Sequence, residues 1–290
     1  MGKITDYGKV TSLLSSNVFL LDGSSGTKTI TAQNLATSLI SLLGSDGMFT
    51  ALDGFISPEQ HRMIFRGKNL GSSFTSAQKT QVSNGTFKDI YLGDYWKIGD
   101  YTYRIVDIDY WFGCENTEIK KHHLVIMPDE TMGSVAMDSS GSTDGGYIGS
   151  SMFKTGLDTA KSTVNTAFGS SYVLSRTQYF VNKASNGVPS GCTTSTVTLE
   201  IPSERMIYGS EIISPKGSYS SSYTYSKTQL ALFAVAPKFI IARTSSGSRT
   251  YYWLRDTVTS SSFAFVGNYG YANYGNAFNP LGVRPVFAIG

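Results

Sequence analysis

Two carboxylates in one stretch of the sequence, Asp107 and Asp109, are the first candidates for chemistry. If this stretch is a strand, alternate residues share a face, so the pair could act as a general acid and a general base. The two aspartates could equally be turn residues or ion-pair partners of Arg104 or Arg284. We favour this second interpretation.

The histidines and the remaining acidic residues do not form a metal-binding pattern. His122 and His123 are adjacent, and adjacent strand residues point to opposite faces, so they cannot both bind one metal ion in regular geometry. We expect hydrogen-bonded core histidines instead. Glu130, Asp138 and Asp144 could bind calcium in a loop, but they lack the D-x-D-x-D-G spacing. We predict no metal and no cofactor.

The two cysteines, Cys114 and Cys192, complete the set of reactive side chains. Neither lies in a metal-binding pattern, and neither has a neighbouring histidine or basic residue that would activate it as a nucleophile. They could pair as a disulfide, which the sequence does not decide. GxSxG, P-loop, HExxH and Rossmann fingerprints are absent as well, so we predict that the protein is not an enzyme.

The composition narrows the class of protein. The chain has 290 residues, of which 13% are aromatic and only 16% charged, and its formal net charge is +3. Such a profile is typical of β-rich proteins that work outside the cell. No basic cluster tracks a phosphate backbone, so nucleic acid is not an expected partner. No apolar run approaches the roughly 18 residues of a membrane span, and no secretory signal is present. We expect no membrane insertion.

The chain divides into three parts, of which residues 1–44 are the first. Val18–Asp22 and Thr27–Ile30 read as strands, and Thr31 as the N-cap of a helix over 32–43 that ends at Gly44. The helix has a leucine face formed by Leu35, Leu39 and Leu42. So small a unit cannot bury this face alone, and it needs copies of itself or a docking partner.

Residues 45–88 read as a connecting neck, and residues 89–290 as one domain. In the neck, Ser57-Pro58 and Thr75 begin short helices. The domain opens with a hairpin around Gly99-Asp100, followed by a buried strand over 122–128. Two helices are predicted next, Ser150–Phe168 and a second one capped by Ser175 that runs to Ala184. A serine-rich loop over 214–226 and short terminal strands follow, which gives an α+β fold class.

The last forty residues contain an uncharged polar-aromatic segment, Gly267–Asn279, with four asparagines, three tyrosines and three glycines. Tyrosine offers rigid amphipathic contact area and asparagine offers hydrogen bonds, as in antibody binding loops. A Gly/Asn-rich hairpin loop with solvent-facing tyrosines is an equally good interpretation. In the flanks, Arg255-Asp256 and Arg284 are expected to tie the end strands together by charge-assisted bonds.

Residues 89–290 resemble C-terminal domains of gut phage and bacterial proteins that have a C-type-lectin-like, or formylglycine-generating-enzyme-like, fold. The motifs that carry this resemblance are Gly93–Ile98, Ile108–Trp111, His122–Ile126, Gly145–Ser150, Trp253–Asp256 and Gly282–Pro285. In addition, Lys3–Tyr7 together with Gly26–Ala32 is similar to the virion-attachment segment of phage fibre proteins. The resemblance implies a C-type-lectin-like head, a neck, and a small N-terminal α/β attachment segment.

The resemblance also implies a function, which is that of a phage surface fibre or adhesin. Residues 1–44 would dock on a capsid or tail protein, the chain would form a homotrimer on the virion surface, and the head would bind a bacterial surface protein or glycan. Related domains are diversified near this point, in some cases by a retroelement. The implied ligand-binding residues are Asn268, Tyr269, Tyr271, Asn273, Tyr274, Asn276, Phe278 and Asn279.

Two alternatives to an adhesin stay open. One is a capsid or tail decoration protein without a receptor, and the other is an enzyme related to the formylglycine generators, for which Cys114 and Cys192 would have to meet in a cleft. The Glu-Pro-Asn and Trp-Asn-Asp signatures of calcium-dependent sugar binding do not occur in the sequence. A calcium-bridged glycan site is therefore not expected, whereas glycan stacking on tyrosine is compatible with the sequence.

Overall fold

The computed structural model describes residues 18–21, 28–35, 37, 47–49, 51–113, 119–185, 188–215 and 228–290. The chain separates into two compact units, Met1–Ile56 and Ser57–Gly290. The predicted features that lie outside the described residues are the Lys3–Tyr7 motif, Leu39, Leu42, Gly44, Cys114 and most of the serine-rich loop.

The smaller unit contains the predicted strand pair. Strands β1 (Val18–Leu21) and β2 (Lys28–Thr31) are antiparallel, with Val18 opposite Thr31. Residues 32–35 and 37 are helical. The Asn34 amide donates to Thr31 Oγ1 at 3.1 Å, so the predicted N-cap is confirmed.

The larger unit, called the body below, begins at Ser57. Its helices, in chain order, are α1 Pro58–Met63, α2 Ser76–Ser83, α3 Gly146–Gly149, α4 Asp158–Phe168, α5 Glu204–Tyr208 and α6 Ala231–Val235. Its strands are β3 Tyr95–Ile98, β4 Tyr101–Ile108, β5 Leu124–Pro128, β6 Ser134–Ala136, β7 Arg176–Val181, β8 Ala184–Ser185, β9 Val188–Pro189, β10 Cys192–Val197, β11 Leu199–Glu200, β12 Ala242–Arg243, β13 Arg249–Thr250, β14 Tyr252–Thr257, β15 Ser262–Val266, β16 Ala272–Asn276, β17 Pro280–Gly282 and β18 Val286–Ile289.

Residues 57–88, predicted as part of a neck, pack within the body. The predicted helix starts are confirmed: the Ser57 amide donates to Gln60 Oε1 at 2.7 Å, and the Thr75 amide donates to Gln78 Oε1 at 2.9 Å. His61 in α1 is fully buried, and its Nδ1 lies 2.9 Å from the carbonyl of Ile90. Long-range burial of this kind is not visible in a local turn pattern, which explains why the boundary at 89 differs from the structure.

Two five-stranded sheets organise the body, which has a mixed α+β fold. The first sheet has the order β11-β18-β5-β4-β3, and the second has the order β16-β15-β14-β17-β6. All neighbours are antiparallel except β14 and β17, which are parallel. The predicted hairpin around Gly99-Asp100 joins β3 to β4. The last strand, β18, pairs with β5 and β11, so the two ends of the domain share one sheet.

Both faces of the first sheet are covered, because alternate residues of one strand enter different hydrophobic clusters. Ile126 packs in the cluster that contains Trp96 and Phe168, whereas Val125 packs in the cluster that contains Trp111 and Phe233. Every residue of β5 is buried as a result. Such a strand reads as a continuous apolar run, as this stretch does in the sequence.

The predicted helix from Ser175 to Ala184 is wrong, and the predicted Ser150–Phe168 helix is broken. Arg176–Val181 is strand β7, paired with β10, and its residues alternate between buried and half-buried. This period of two, with β-branched and aromatic residues, prevails over the capping serine. A π-helical segment, Met152–Gly156, precedes α4.

Candidate ligand-binding surface

The segment 267–279 forms the end of a hairpin and the exposed edge of the second sheet. Strand β16 pairs with β15 from Val266 opposite Ala272 to Ser262 opposite Asn276. The turn is closed by the Gly267 amide, which donates to the Tyr271 carbonyl at 2.8 Å, and Gly270 has a φ of +86°. Both interpretations of the segment, a hairpin loop and an exposed tyrosine surface, therefore describe the same structure.

The aromatic residues of this segment are exposed. The exposed fractions are 69% for Tyr269, 44% for Tyr271, 50% for Tyr274 and 58% for Phe278. With Tyr251, which is 37% exposed, they form what we call the aromatic edge. Asn279 is exposed, and Asn268, Asn273 and Asn276 are half-buried. Among the described residues, every tyrosine with an exposed side chain belongs to this edge.

The rings of the aromatic edge point to both faces of the sheet. Tyr274 is opposite the buried Ala264, whereas its neighbour Asn273 is opposite Phe265. Adjacent strand residues point to opposite faces, so Tyr271 and Asn273 share the Phe265 face and Tyr274 lies on the other. A ligand that contacts all of the rings has to approach the edge strand and the hairpin end rather than one flat face.

One face of the edge is held by contacts between its rings. Tyr251 packs edge-on against Phe265, with ring centroids 5.8 Å apart. A hydrogen bond to the Tyr251 side chain raises the pKa of the Tyr271 phenol. The Tyr271 ring also covers Gly267, where a Cβ atom would lie 2.3 Å from the ring. Only glycine at position 267 leaves room for this ring orientation.

Two of the candidate asparagines shape the backbone. Asn273 Oδ1 accepts from the Tyr274 amide at 2.8 Å, and Asn276 Oδ1 accepts from the Phe278 amide at 3.3 Å. The Tyr274 amide belongs to a pair that makes no ladder bond with β15, so it points away from the sheet. Asn273 thus covers one donor of the exposed sheet edge, where unpaired amides would otherwise attract a further strand.

Buried side chains of the flanking motifs, Trp253–Asp256 and Gly282–Pro285, hold together the strands next to the aromatic edge. Trp253 is fully buried, and its Nε1 donates to the Val135 carbonyl at 3.0 Å. Arg284 donates to main-chain carbonyls, among them that of Pro128 at 2.7 Å and that of Phe239 at 3.0 Å. Arg284 therefore joins β5 and the 3-10 helix Pro237–Ile240 to the segment that leads into the final strand. Its acceptors are neutral carbonyls instead of the predicted aspartates.

The remaining ionic predictions for the flanks need correction. Arg255 pairs with Glu200 on β11, and Arg176 pairs with the same carboxylate. Asp256 accepts from the Glu204 amide at 2.6 Å. These residues tie β14 to the middle of the chain, not the end strands to each other.

Asp107 has a structural role, and its predicted ion-pair partners are wrong. Arg62 Nε lies 2.5 Å from Asp107 Oδ1, and the Ala231 amide donates to Oδ2 at 2.9 Å. Arg104 pairs with Asp129 instead. Burial raises the pKa of Asp107, and the bonds to Arg62 oppose that shift. A fully buried carboxylate that binds Arg62 and accepts from the amides of Ala231 and Ile108 has no open position for a substrate.

Asp109 lies beyond the end of β4 and organises the histidine pair. Its φ of +56° turns the carboxylate so that it accepts from the His123 amide at 2.8 Å and contacts His122 Nδ1 at 2.7 Å. His123 is fully buried, and burial lowers its pKa to about 4. The prediction of a core histidine is confirmed for His123. It is wrong for His122, which is partly exposed and stacked on Phe112.

No metal-binding group is found in the described part of the chain, where no three His, Cys, Asp or Glu side chains are close enough to hold an ion. Asp138 accepts from the amides of Ser140 and Ser151, and Asp144 pairs with Lys183 at 3.5 Å. Glu130 accepts from Thr102. In the same described ranges, each helix is too short or too polar to traverse a lipid bilayer.

A basic side chain beside the aromatic edge, that of Arg249, is not among the residues predicted from the sequence. The guanidinium of Arg249 lies 5.3 Å from the Tyr269 ring centroid, and Tyr208 Oη donates to the Gly270 carbonyl at 3.1 Å. Tyr251, which precedes the flanking motif Trp253–Asp256, is not among the predicted ligand-binding residues either. Its position just before the buried β14, beside the fully buried Tyr252, is the only local signal that it faces outward.

Comparisons with known proteins give no match. No protein-family model, no curated protein sequence and no solved structure is similar to this chain.

Proposed function

We propose that the protein is a phage surface fibre or receptor-binding protein whose body is a C-type-lectin-like head. The aromatic edge would bind a molecule on the bacterial surface. The observation that carries the proposal is the concentration of exposed tyrosines at one hairpin and edge strand, on a body whose other tyrosines are buried or half-buried wherever the structure describes them.

The physical properties of the edge suit recognition. Tyrosine has few rotatable bonds, so ordering its ring on binding costs little entropy, and its hydroxyl adds a hydrogen bond. Tyr274 lies on β16, which is paired with the buried β15, and Tyr269 and Tyr271 lie in the hydrogen-bonded turn that joins these two strands. Their backbone is therefore positioned before a ligand arrives, which reduces the ordering cost of binding. Side chains on the outer edge can change without altering the core beneath them.

The other parts of the proposal concern assembly. Residues 1–44 would attach the protein to a capsid or tail protein, and three copies would form a homotrimer on the virion surface. Several heads that bind one cell surface together would turn weak single contacts into firm adhesion. The segment 267–279 would be the part that varies among related phages.

The test is adsorption of the protein to host cells. Replacing Tyr269, Tyr271 and Tyr274 with Ala should weaken cell binding by a factor of 100 or more, on the order of the loss from two or more interface hot spots. Circular dichroism and the unfolding midpoint should stay unchanged, because all three side chains are exposed.

The control is Phe112→Ala, which removes an aromatic ring with 43% exposure that lies outside the edge. This variant should adsorb as the unmodified protein does. Unchanged adsorption of the triple tyrosine variant would refute the proposed receptor-binding role and favour a decoration protein. Deleting residues 1–44 should release the protein from particles without reducing cell binding by the body.

A further inference from the structure

A small basic pocket adjoins the aromatic edge. Its volume is about 240 Å³, and its walls include Asp129, Glu130, Lys238, Arg243 and Arg249. Arg249 connects the pocket to the edge, because its guanidinium also lies over the Tyr269 ring. The hairpin turn is close to the same wall: a Cβ atom at Gly270 would lie 3.3 Å from Ile241, which also lines the pocket.

The two carboxylates of the pocket already have partners. Asp129 accepts from Arg104 Nε at 2.9 Å, and this guanidinium is nearly buried. Glu130 accepts from the Thr102 amide at 2.8 Å and from the Thr102 hydroxyl at 3.1 Å. Their oxygens are therefore engaged within the protein.

The three cations of the pocket are exposed. Across the described ranges of the chain, no ion pair involves Lys238, Arg243 or Arg249. The contacts that the structure shows for two of them are with neutral groups: Arg243 donates to the Gly247 carbonyl at 2.8 Å, and Lys238 lies 5.2 Å from the Phe239 ring centroid. The pocket is thus left with an excess of positive charge.

Two of these cations face each other across a strand pair. Arg243 on β12 and Arg249 on β13 are directly opposite in register. Like charges at this spacing, roughly 5 Å between Cβ atoms, destabilise a strand pair. An anion between them would replace that repulsion with two charge-assisted hydrogen bonds. The β12–β13 hairpin therefore places two positive charges where one anion can bind both.

We propose that this pocket binds the acidic group of a bacterial surface polysaccharide, while a neighbouring sugar ring of the same chain contacts Tyr269. This inference rests on the proposed function and names the ligand class of the same surface. The acidic group is a carboxylate or a phosphate, both of which arginine binds with two parallel hydrogen bonds. The pocket is smaller than the roughly 300–1,000 Å³ of sites for drug-sized molecules, so it accommodates one charged unit of a repeating polymer.

The experiment measures binding of immobilised full-length protein to four polymers. They are polygalacturonate, a polysaccharide that carries carboxylates; phosphomannan, a polysaccharide that carries phosphates; neutral dextran; and polyglutamate, an acidic peptide. We expect binding to one or both of the first two, no binding to dextran, and weaker binding to polyglutamate. Affinity should fall as salt rises from 50 to 500 mM, since salt screens exposed charges. The preferred polymer identifies the acidic group.

Single variants locate the site. Lys238→Gln and Arg249→Gln should each weaken binding to the preferred acidic polysaccharide about tenfold, the loss of one charge-assisted hydrogen bond. Lys154→Gln removes an exposed charge that does not line the pocket and should leave affinity unchanged. In a thermal shift assay, the polymer should raise the unfolding midpoint of the unmodified protein, and Arg249→Gln should abolish this rise.

Several results would overturn the inference: equal binding to dextran, binding to polyglutamate at least as tight as to either polysaccharide, no binding to either acidic polysaccharide, or pocket variants that bind as tightly as the unmodified protein. The tyrosine triple variant, measured alongside, separates the two proposals. If it loses binding while the pocket variants keep it, the pocket is not the subsite but the aromatic edge stands. If only the pocket variants lose binding, the proposed role of the aromatic edge is wrong.

Discussion

The buried cluster of Glu200 with Arg176 and Arg255 predicts a large loss of stability for Glu200→Gln, a substitution that replaces one carboxylate oxygen with an amide nitrogen. Both guanidinium groups donate to the Glu200 carboxylate, and Gln178 Nε2 donates to it at 3.0 Å. All four side chains are almost fully buried. Burial lowers the pKa of Arg176, and the Glu200 charge opposes that shift. Glu200→Gln keeps the shape of the side chain and removes the compensating charge.

The magnitude follows from the burial of the two cations. Removing one partner of a buried ion pair costs about 3–5 kcal/mol, because an uncompensated charge remains in the interior. A protein of this kind unfolds with a free energy of about 5–15 kcal/mol. Each kcal/mol shifts the midpoint of a body of this size by about 2–4 °C. We therefore expect Glu200→Gln to lower the thermal midpoint by roughly 6–20 °C.

Urea unfolding followed by tryptophan fluorescence measures the effect. Asp158→Asn is the control, since its ion pair with Lys161 is 3.5 Å long and Asp158 is 63% exposed; this change should cost at most about 0.5 kcal/mol. Replacing Arg255 by Met in the Glu200→Gln background should recover part of the loss, because one of the two repelling cations is gone. A loss below about 1 kcal/mol for Glu200→Gln, or no recovery in the double variant, would refute the reasoning.

Three further predictions concern pH and the aromatic edge. Burial lowers the pKa of His123 to about 4, below the value of about 6.5 in an unfolded chain. The unfolded state therefore binds the proton more tightly, and His123 contributes roughly 3 kcal/mol to the unfolding free energy, which is fully present above pH ~6.5 and lost as the pH falls toward 4. His123→Gln should flatten this part of the pH profile of the unfolding free energy. An unchanged profile would contradict the prediction. Tyr251→Phe should lower the pKa of Tyr271 toward the ordinary value, measured by ultraviolet titration, because the hydrogen bond that raises it is removed; a pKa that does not fall shows that this bond is not the cause. Gly267→Ala should displace the Tyr271 ring and weaken adsorption. It should destabilise the fold by less than about 1 kcal/mol, because the colliding atoms belong to an exposed side chain that can rotate away. Full adsorption of this variant would show that the ring position is not needed for binding.

Local signals in the sequence were enough for several elements. The N-caps Thr31 and Thr75 lie at the starts of their helices because capping depends on residues within one turn of the chain. The hairpin around Gly99-Asp100 forms as its turn residues indicate. The exposed tyrosines of 267–279 could likewise be recognised, because a glycine- and asparagine-rich stretch between apolar runs favours a hairpin end.

Contacts between distant residues decided the rest. Arg176–Val181 is a strand because it pairs with β10 and because Arg176 reaches the buried Glu200, and neither partner is visible from a helix-capping serine. Asp107 pairs with Arg62, which belongs to a segment whose local sequence pattern predicts a neck. The basic pocket exists only because the Arg243–Arg249 hairpin folds beside Tyr269. Local propensities are worth a fraction of a kcal/mol per residue, whereas burial and long-range pairing are worth several, so tertiary structure prevails where the two disagree.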